Sequence, residues 1–229
     1  MALYAIGDLH LSLGSDKPMD VFGGGWENYV EKLKAGFSSL TRDDVCVLCG
    51  DLTWGMSLEE CREDFCFIGS LPGKKIILKG NHDYWWSTAS KARSFFAANG
   101  IENVDILNNN CFFYGDTALC GTRGWFYEEE VHGAHDKKIM AREVMRLEAS
   151  LRAAGSAEEK ICFFHYPPRF KDYICREIID VMNAYGVKQC WYGHIHSHGH
   201  RFAVQGQVEG IEYRMVSADY VDFTPVRVM

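Results

Sequence analysis

The sequence predicts an α/β fold, a mixed system of β-strands covered by helices. Three observations predict it. Short apolar runs bounded by glycine or polar residues recur along the chain, as buried strands do. Between them, apolar residues return at spacings of three and four, the period of an amphipathic helix. In the second half, two pairs of runs lie close enough to form hairpins, so parallel and antiparallel pairing are expected together.

The first run, Leu3-Tyr4-Ala5-Ile6, leads through Gly7 to Asp8-Leu9-His10. The stretch Gly14 to Gly25, with Gly23-Gly24-Gly25, reads as a loop that could serve as a mobile lid beside Asp8 and His10; it is not a P-loop, because no Gly-Lys-Ser/Thr follows. Trp26, Val30, Leu33, Phe37 and Leu40 mark a helix. Val45 to Cys49 is a strand running into Gly50-Asp51, after which Ser57 and Glu60 form a capping box ahead of Leu58, Cys61, Phe65 and Ile68. Lys75 to Lys79 delivers Gly80-Asn81-His82-Asp83, and a helix starting near Ser87 closes at Gly100. Cys111 to Tyr114 with Thr117 to Cys120 reads as a hairpin. Asp136 is placed to cap a long helix with the stripe Met140, Val144, Leu147, Leu151, closed by Gly155. Ile161 to Phe164 delivers His165, with Tyr166-Pro167-Pro168 as a stop; Ile174, Ile178, Val181 and Tyr185 mark a helix closed by Gly186. Gln189 to Tyr192 delivers Gly193-His194-Ile195-His196, and Arg201 to Val204 with Ile211 to Val216 reads as a second hairpin.

A chain of 229 residues with 47% hydrophobic and 24% charged residues is large enough for one well-buried domain, expected over 1–229. Its 24 Lys+Arg against 31 Asp+Glu give a net charge of -7, which disfavours a long nucleic acid or an anionic membrane surface as partner. No basic segment followed by an apolar core opens the chain and no apolar run approaches membrane-spanning length, so a cytoplasmic location is expected. Nine cysteines, an odd number lying mostly in apolar runs, read as reduced thiols. Cys46 and Cys49 form a C-x-x-C, but at an odd separation on a strand they face opposite sides and are not expected to share a zinc ion.

The chemistry concentrates at five strand ends. Together they carry three carboxylates (Asp8, Asp51, Asp83), one amide (Asn81) and five imidazoles (His10, His82, His165, His194, His196). That is the donor set borderline divalent metals prefer, and it points to a two-metal hydrolytic site. Ligands of open α/β sheets bind outside the carboxyl ends of the strands, where five such ends can converge. Any one of these residues could instead cap a helix or face solvent; the joint pattern is what argues for a site.

The order Asp-x-His, Gly-Asp, Gly-Asn-His-Asp, a lone His, then Gly-His-x-His resembles the calcineurin-like metallophosphoesterase superfamily, with every block present between residues 8 and 196. The resemblance implies a four-layer α/β/β/α sandwich with two mixed β-sheets and a dinuclear centre. It implies that Asp8, His10 and His196 hold one metal, Asn81, His165 and His194 the second, and that Asp51 bridges both. The implied reaction is attack on phosphorus by a metal-bridging hydroxide, with His82 donating a proton to the leaving group or binding the phosphoryl group, and Asp83 orienting His82. For His82 the plainer role is that of a hydrogen-bonded neighbour with no acid function. The two ions would be divalent, among Mn, Fe, Zn, Ni and Co, since the ligands suit all of these.

Departures from the family narrow the substrate. Protein Ser/Thr phosphatases follow Gly-Asp with an acidic residue and arginine, whereas this chain reads Asp51-Leu52-Thr53-Trp54-Gly55. The expected substrate is therefore a small phosphorylated molecule, a phosphomonoester or phosphodiester, as in bacterial small phosphoesterase and phosphodiesterase branches. The alternative is a catalytically silent member of the superfamily acting as a protein-binding scaffold. Arg123 could clamp a phosphate, and Trp125 or Tyr127 could stack on the substrate; the plainer reading is an aromatic cluster at the core edge. His198 and His200 continue an alternating series after His196 and could reach a further metal or the substrate, or simply face solvent.

Overall fold

The computed structural model describes residues 1–17, 19–126 and 133–229. Its elements in chain order are β1 (Leu3–Ile6), α1 (Tyr29–Phe37), β2 (Val45–Leu48), α2 (Arg62–Ser70), β3 (Lys74–Ile77), α3 (Ala89–Ala98), β4 (Val104–Ile106), β5 (Phe112–Tyr114), β6 (Thr117–Thr122), α4 (Ala134–Ala153), β7 (Glu159–Phe164), β8 (Arg169–Phe170), β9 (Tyr173–Ile174), α5 (Arg176–Ala184), β10 (Gln189–Tyr192), β11 (Gly206–Val208), β12 (Ile211–Met215) and β13 (Val226–Arg227). Short 3-10 helices at Met19–Phe22, Gly24–Trp26 and Ser197–Phe202 lie between them.

One sheet has the order β13-β1-β2-β3-β4, parallel except for β13 at its edge. The other has the order β11-β12-β10-β7-β6-β5, with parallel central strands and antiparallel edges. Both are mixed, as expected.

Alternation along each strand builds the layers. Cys46 and Leu48 of β2 pack with Leu33, Phe37, Phe65 and Phe96 of the helices, while Val47 and Cys49 pack against Leu119, Ile161, Phe163 and Trp191 of the opposite sheet. On the far side, Cys162, Phe164, Cys190 and Tyr192 pack against α4 and α5 through Met140, Leu147, Leu151, Ile178 and Met182. The result is helices, sheet, sheet, helices. Strands covered on both faces explain the uninterrupted apolar runs. Cys46 and Cys49 face different layers, and all nine cysteines are free. No helix among the described residues is long and apolar enough to cross a membrane.

Several local expectations need correction. The Ser57 hydroxyl accepts from Glu60 N (3.3 Å), but the Glu60 carboxylate reaches Met56 N (2.8 Å), so the box stabilises a turn and α2 begins later, at Arg62. The cap of α3 is Thr88, whose hydroxyl accepts from Lys91 N at 3.2 Å. The long helix begins at Ala134, which puts Asp136 inside its first turn, where a carboxylate favours the helix dipole without capping it. Ile174 belongs to β9 and is exposed; the buried face of α5 is Ile178, Ile179 and Met182. The second hairpin pairs Gly206–Val208, not residues 201–204, with β12. Its two-residue turn, Glu209-Gly210, has φ of 50° and 83°, the left-handed pair that a tight hairpin requires. The loop before α1 is tied down at its start by Asp64, which accepts from Leu13 N at 2.7 Å, and at its end by buried Trp26.

Candidate metal centre

The five polar blocks fall on one rim: β1, β2 and β3 are parallel neighbours in one sheet, β7 and β10 are parallel neighbours in the other, and a parallel bridge between Gly7 and Ser217 links the sheets beside Asp8. Their loops then knit together: Asp8 N donates to Gly50 O (2.8 Å) and His10 N to Asp51 O (3.0 Å). To aim their side chains inward, Asp8 (φ 59°), His10 (46°), Asp51 (51°) and His194 (74°) adopt the left-handed backbone region. Such residues cost on the order of 1–3 kcal/mol each and persist only where surrounding structure imposes them. Two glycines make the crowding possible. A Cβ on Gly80 would lie 2.0 Å from Asp51 Oδ1, and one on Gly193 would lie 2.4 Å from Asp8 Oδ2.

Two groups could each hold a metal ion: Asp8, His10 and His196, and Asp51, His165 and His194, with the ligating atoms of each group within 4.8 Å of one another. Asp51 Oδ2 lies 3.5 Å from His165 Nε2 and 3.8 Å from His10 Nε2, so it sits beside ligands of both groups. Asn81 Oδ1 is 2.6 Å from His165 Nε2, next to the second group. Asp8 also accepts from His194 N at 2.8 Å, which joins the two sheets.

The protonation pattern favours cations. His165 must donate Nδ1–H to the Cys49 carbonyl (3.1 Å), so its Nε2 presents a lone pair to Asn81 Oδ1 and Asp51 Oδ2. His196 Nδ1 is held by Asp219 Oδ1 (2.8 Å), and its Nε2 faces His10 Nε2 at 3.2 Å. At His165 a lone pair thus meets an amide oxygen and a carboxylate oxygen, an arrangement a cation resolves. Burial pushes the Asp8 carboxyl up to about 8, Asp51 adding to the rise and His196 opposing it. Burial also lifts Asp51 to about 6 against the pull of His82. The same burial, with neighbouring imidazoles, pushes His10, His165 and His194 well below the ordinary histidine value. Against its own burial, His196 is held up at about 9 by Asp219 and Asp8. The donor set and its desolvation fit divalent metals.

His82 lies at the edge of this cluster. Its N donates to Asp51 Oδ1 (2.8 Å), its Nδ1 pairs with the Tyr84 hydroxyl (2.9 Å), and its ring lies 4.4 Å from that of Trp54. Asp83 does not orient it. The buried Asp83 carboxylate accepts from Asp51 N (3.0 Å), Leu52 N (3.0 Å), Gly80 N (2.7 Å) and Trp85 Nε1 (3.0 Å), and so fixes the loops after β2 and β3. Trp54 stacks on His10 at 4.9 Å, with Lys17 Nζ 4.0 Å from its ring.

Arg123 lies over Trp125 (5.1 Å) and 3.6 Å from Glu143. Trp125 meets Tyr166 edge-on (5.7 Å), and Tyr166 in turn packs 4.4 Å from His194, so Trp125 stands one ring away from the cluster. Tyr127 lies outside the described residues. His198 and His200 fall in a 3-10 helix; His198 is exposed, while His200 Nε2 lies 3.2 Å from Asp219 Oδ2.

Sequence reasoning missed Asp219 and Tyr84. Asp219 follows the end of β12 much as Asp8 follows β1, so the same rule of polar residues after strands would have found it. Tyr84, two residues after His82, gave no comparable signal.

The layered sheets and the two clustered donor groups define a metal-binding α/β sandwich with its site at the strand ends. More narrowly, the chain belongs to the calcineurin-like phosphoesterase family, whose model matches residues 1–198. Its fold is similar to that of the phosphopantetheinyl hydrolase of Mycobacterium tuberculosis, with a TM-score of 0.60 and 14% identity over 100% of this chain and 95% of that one. It is also similar to a protein of unknown function from Aquifex aeolicus, with a TM-score of 0.51 and 15% identity over 99% of this chain and 95% of that one. At these identities the likeness is one of fold. No curated protein matches the chain.

Proposed function

We propose that the chain is a dinuclear-metal-dependent phosphoesterase that hydrolyses a phosphomonoester or phosphodiester of a small molecule. The observation that carries this reading is Asp51, whose carboxylate lies beside ligands of both donor groups. Asp8, His10 and His196 would hold one ion, Asn81, His165 and His194 the other, with Asp51 shared. Divalent ions held there supply Lewis-acid polarisation of phosphoryl oxygens and lower the pKa of water from ~15.7 to about 7. The chain itself positions and protonates. Asp83 keeps the Asp51 and Asn81 loops in register, and Asp219 holds His196 so that Nε2 faces the cluster. His82, with Nδ1 engaged by Tyr84, keeps its other ring nitrogen to give a proton to the leaving oxygen. The family, and a fold neighbour that is a phosphopantetheinyl hydrolase, support a small phosphorylated substrate.

The test is hydrolysis of p-nitrophenyl phosphate against bis-p-nitrophenyl phosphate by protein loaded with Mn, Fe, Zn, Ni or Co, with His82→Ala as control. Metal-dependent turnover that falls in the variant supports the reading, and the better ester separates monoesterase from diesterase. Full metal binding with no turnover of either ester would shift the reading to a binding scaffold.

A further inference from the structure

Beside the proposed metal centre is a cavity of about 280 Å³, lined among others by Lys79, Ser87, Asn108, Thr122, Arg123 and Arg146. Its lining includes residues at the carboxyl ends of β3, β4 and β6, the first of which also leads to Asn81 and His82. Lys79 stands two residues before Asn81, and the Arg123 carbonyl accepts from His165 N (3.2 Å) and Tyr166 N (2.9 Å).

Its charge is unlike that of the chain as a whole, whose net charge is -7. Three cationic side chains face one carboxylate, Glu143, which is itself buried and already accepts from Thr122 Oγ1 (2.6 Å) and Arg146 (2.6 Å). Arg123 is only 17% exposed, and its Nε is buried with no hydrogen-bond partner among the described residues. Arg123 is linked only loosely to Glu143, at 3.6 Å, and Lys79 is half-buried and makes no hydrogen bond or ion pair among the described residues. Buried donors of this kind are normally satisfied, and a pre-placed guanidinium with an ammonium is what recognises phosphate or carboxylate. The volume is below the roughly 300–1,000 Å³ that drug-sized ligands occupy, which suits one anionic group and not a ring system.

We infer that the Lys79–Arg123–Arg146 cavity binds a second anionic group of the substrate, a phosphate or carboxylate distinct from the phosphoryl group that is hydrolysed. This rests on the phosphoesterase reading for its location in the reaction, while anion binding in the cavity can be tested without turnover.

Two measurements decide it. The 229-residue protein is titrated with sodium sulfate at constant ionic strength and its melting temperature followed. A saturable rise that is lost in Lys79→Met and Arg146→Gln, and kept in the exposed control Lys91→Met, is expected; no rise, or an equal rise in Lys79→Met, overturns the inference. In parallel, the metal-loaded protein is given α,ω-alkanediol bisphosphates, ω-carboxyalkyl phosphates and the matching alkyl phosphates over a range of chain lengths. At one length kcat/KM for a two-anion substrate should exceed that of its alkyl phosphate by about tenfold or more, and Lys79→Met should abolish that ratio. The more favoured series tells phosphate from carboxylate. A ratio near one at every length, or one that survives Lys79→Met, overturns the inference. Sulfate binding that depends on Lys79, with no turnover of any ester, would instead leave the cavity standing and remove the phosphoesterase reading.

Discussion

The sheet β13-β1-β2-β3-β4 brings carboxylates and an amide to the rim, Asp8, Asp51 and Asn81, with His10 and His82, whereas the other sheet brings imidazoles alone as candidate ligands, His165, His194 and His196. The acidic half is tied together internally, by Asp83 across two loops and by the backbone bond from Asp8 N to Gly50 O. The imidazole half reaches across, through His194 N to Asp8 and His165 Nδ1 to the Cys49 carbonyl. Each donor group therefore draws on both sheets. Neither sheet alone holds a complete set, so assembly of the centre and packing of the two sheets are one event.

The harshest way to break this division is at Asp51. If its carboxylate is shared, Asp51→Asn should deplete both ions together and lower kcat on the order of 10⁴ or more; elemental analysis showing two retained ions would overturn the bridging role. His82 tests whether catalysis on the acidic half is separable from metal holding. His82→Ala should lower kcat by about 10² to 10⁴ with metal content and melting temperature kept, and an unchanged rate would remove it from the reaction. On the imidazole half, Asp219→Asn should weaken one ion by about 10- to 100-fold and spare the other, read by chelator competition. Equal weakening of both ions would mean that Asp219 does more than position His196.

The smallest effect concerns the acidic half away from its rim. Lys75 of β3 is fully buried, donates to Leu71 O and Gly73 O, and has its pKa pushed down by burial from 10.5 to about 8. Between these values the unfolded chain binds the proton that the folded one releases, so folding stability should rise with pH across pH 8 to 10. Relative to Lys75→Met, urea melts should show a gain of at most about 1.4 kcal/mol per pH unit. A flat difference would mean that Lys75 stays charged in the fold.

The candidate ligands were legible because each directly follows a strand, and strands are the most strongly patterned elements here. Helix boundaries were less so. Ile174 shares the apolar period of α5, yet Pro167-Pro168 and the short β8–β9 pair take up that stretch first. Arg201 to Val204 alternates like a strand, but the left-handed Glu209-Gly210 turn places the paired strand four to five residues nearer to β12, at Gly206–Val208. Asp83 was assigned by adjacency to His82, although neighbouring positions in a tight loop point different ways. Asp219 follows a strand as the ligands do, but its pairing with His196 is visible only in the fold.

The left-handed backbone at Asp8, His10, Asp51 and His194 bears on how portable such a centre is. Copying the five blocks onto a foreign scaffold would transfer the donor atoms without the turns that aim them. An acceptor protein would have to bend at the same four places, and leave room where Gly80 and Gly193 lack a side chain, before the borrowed residues could meet. The centre is inherited as loop shape as much as amino-acid identity.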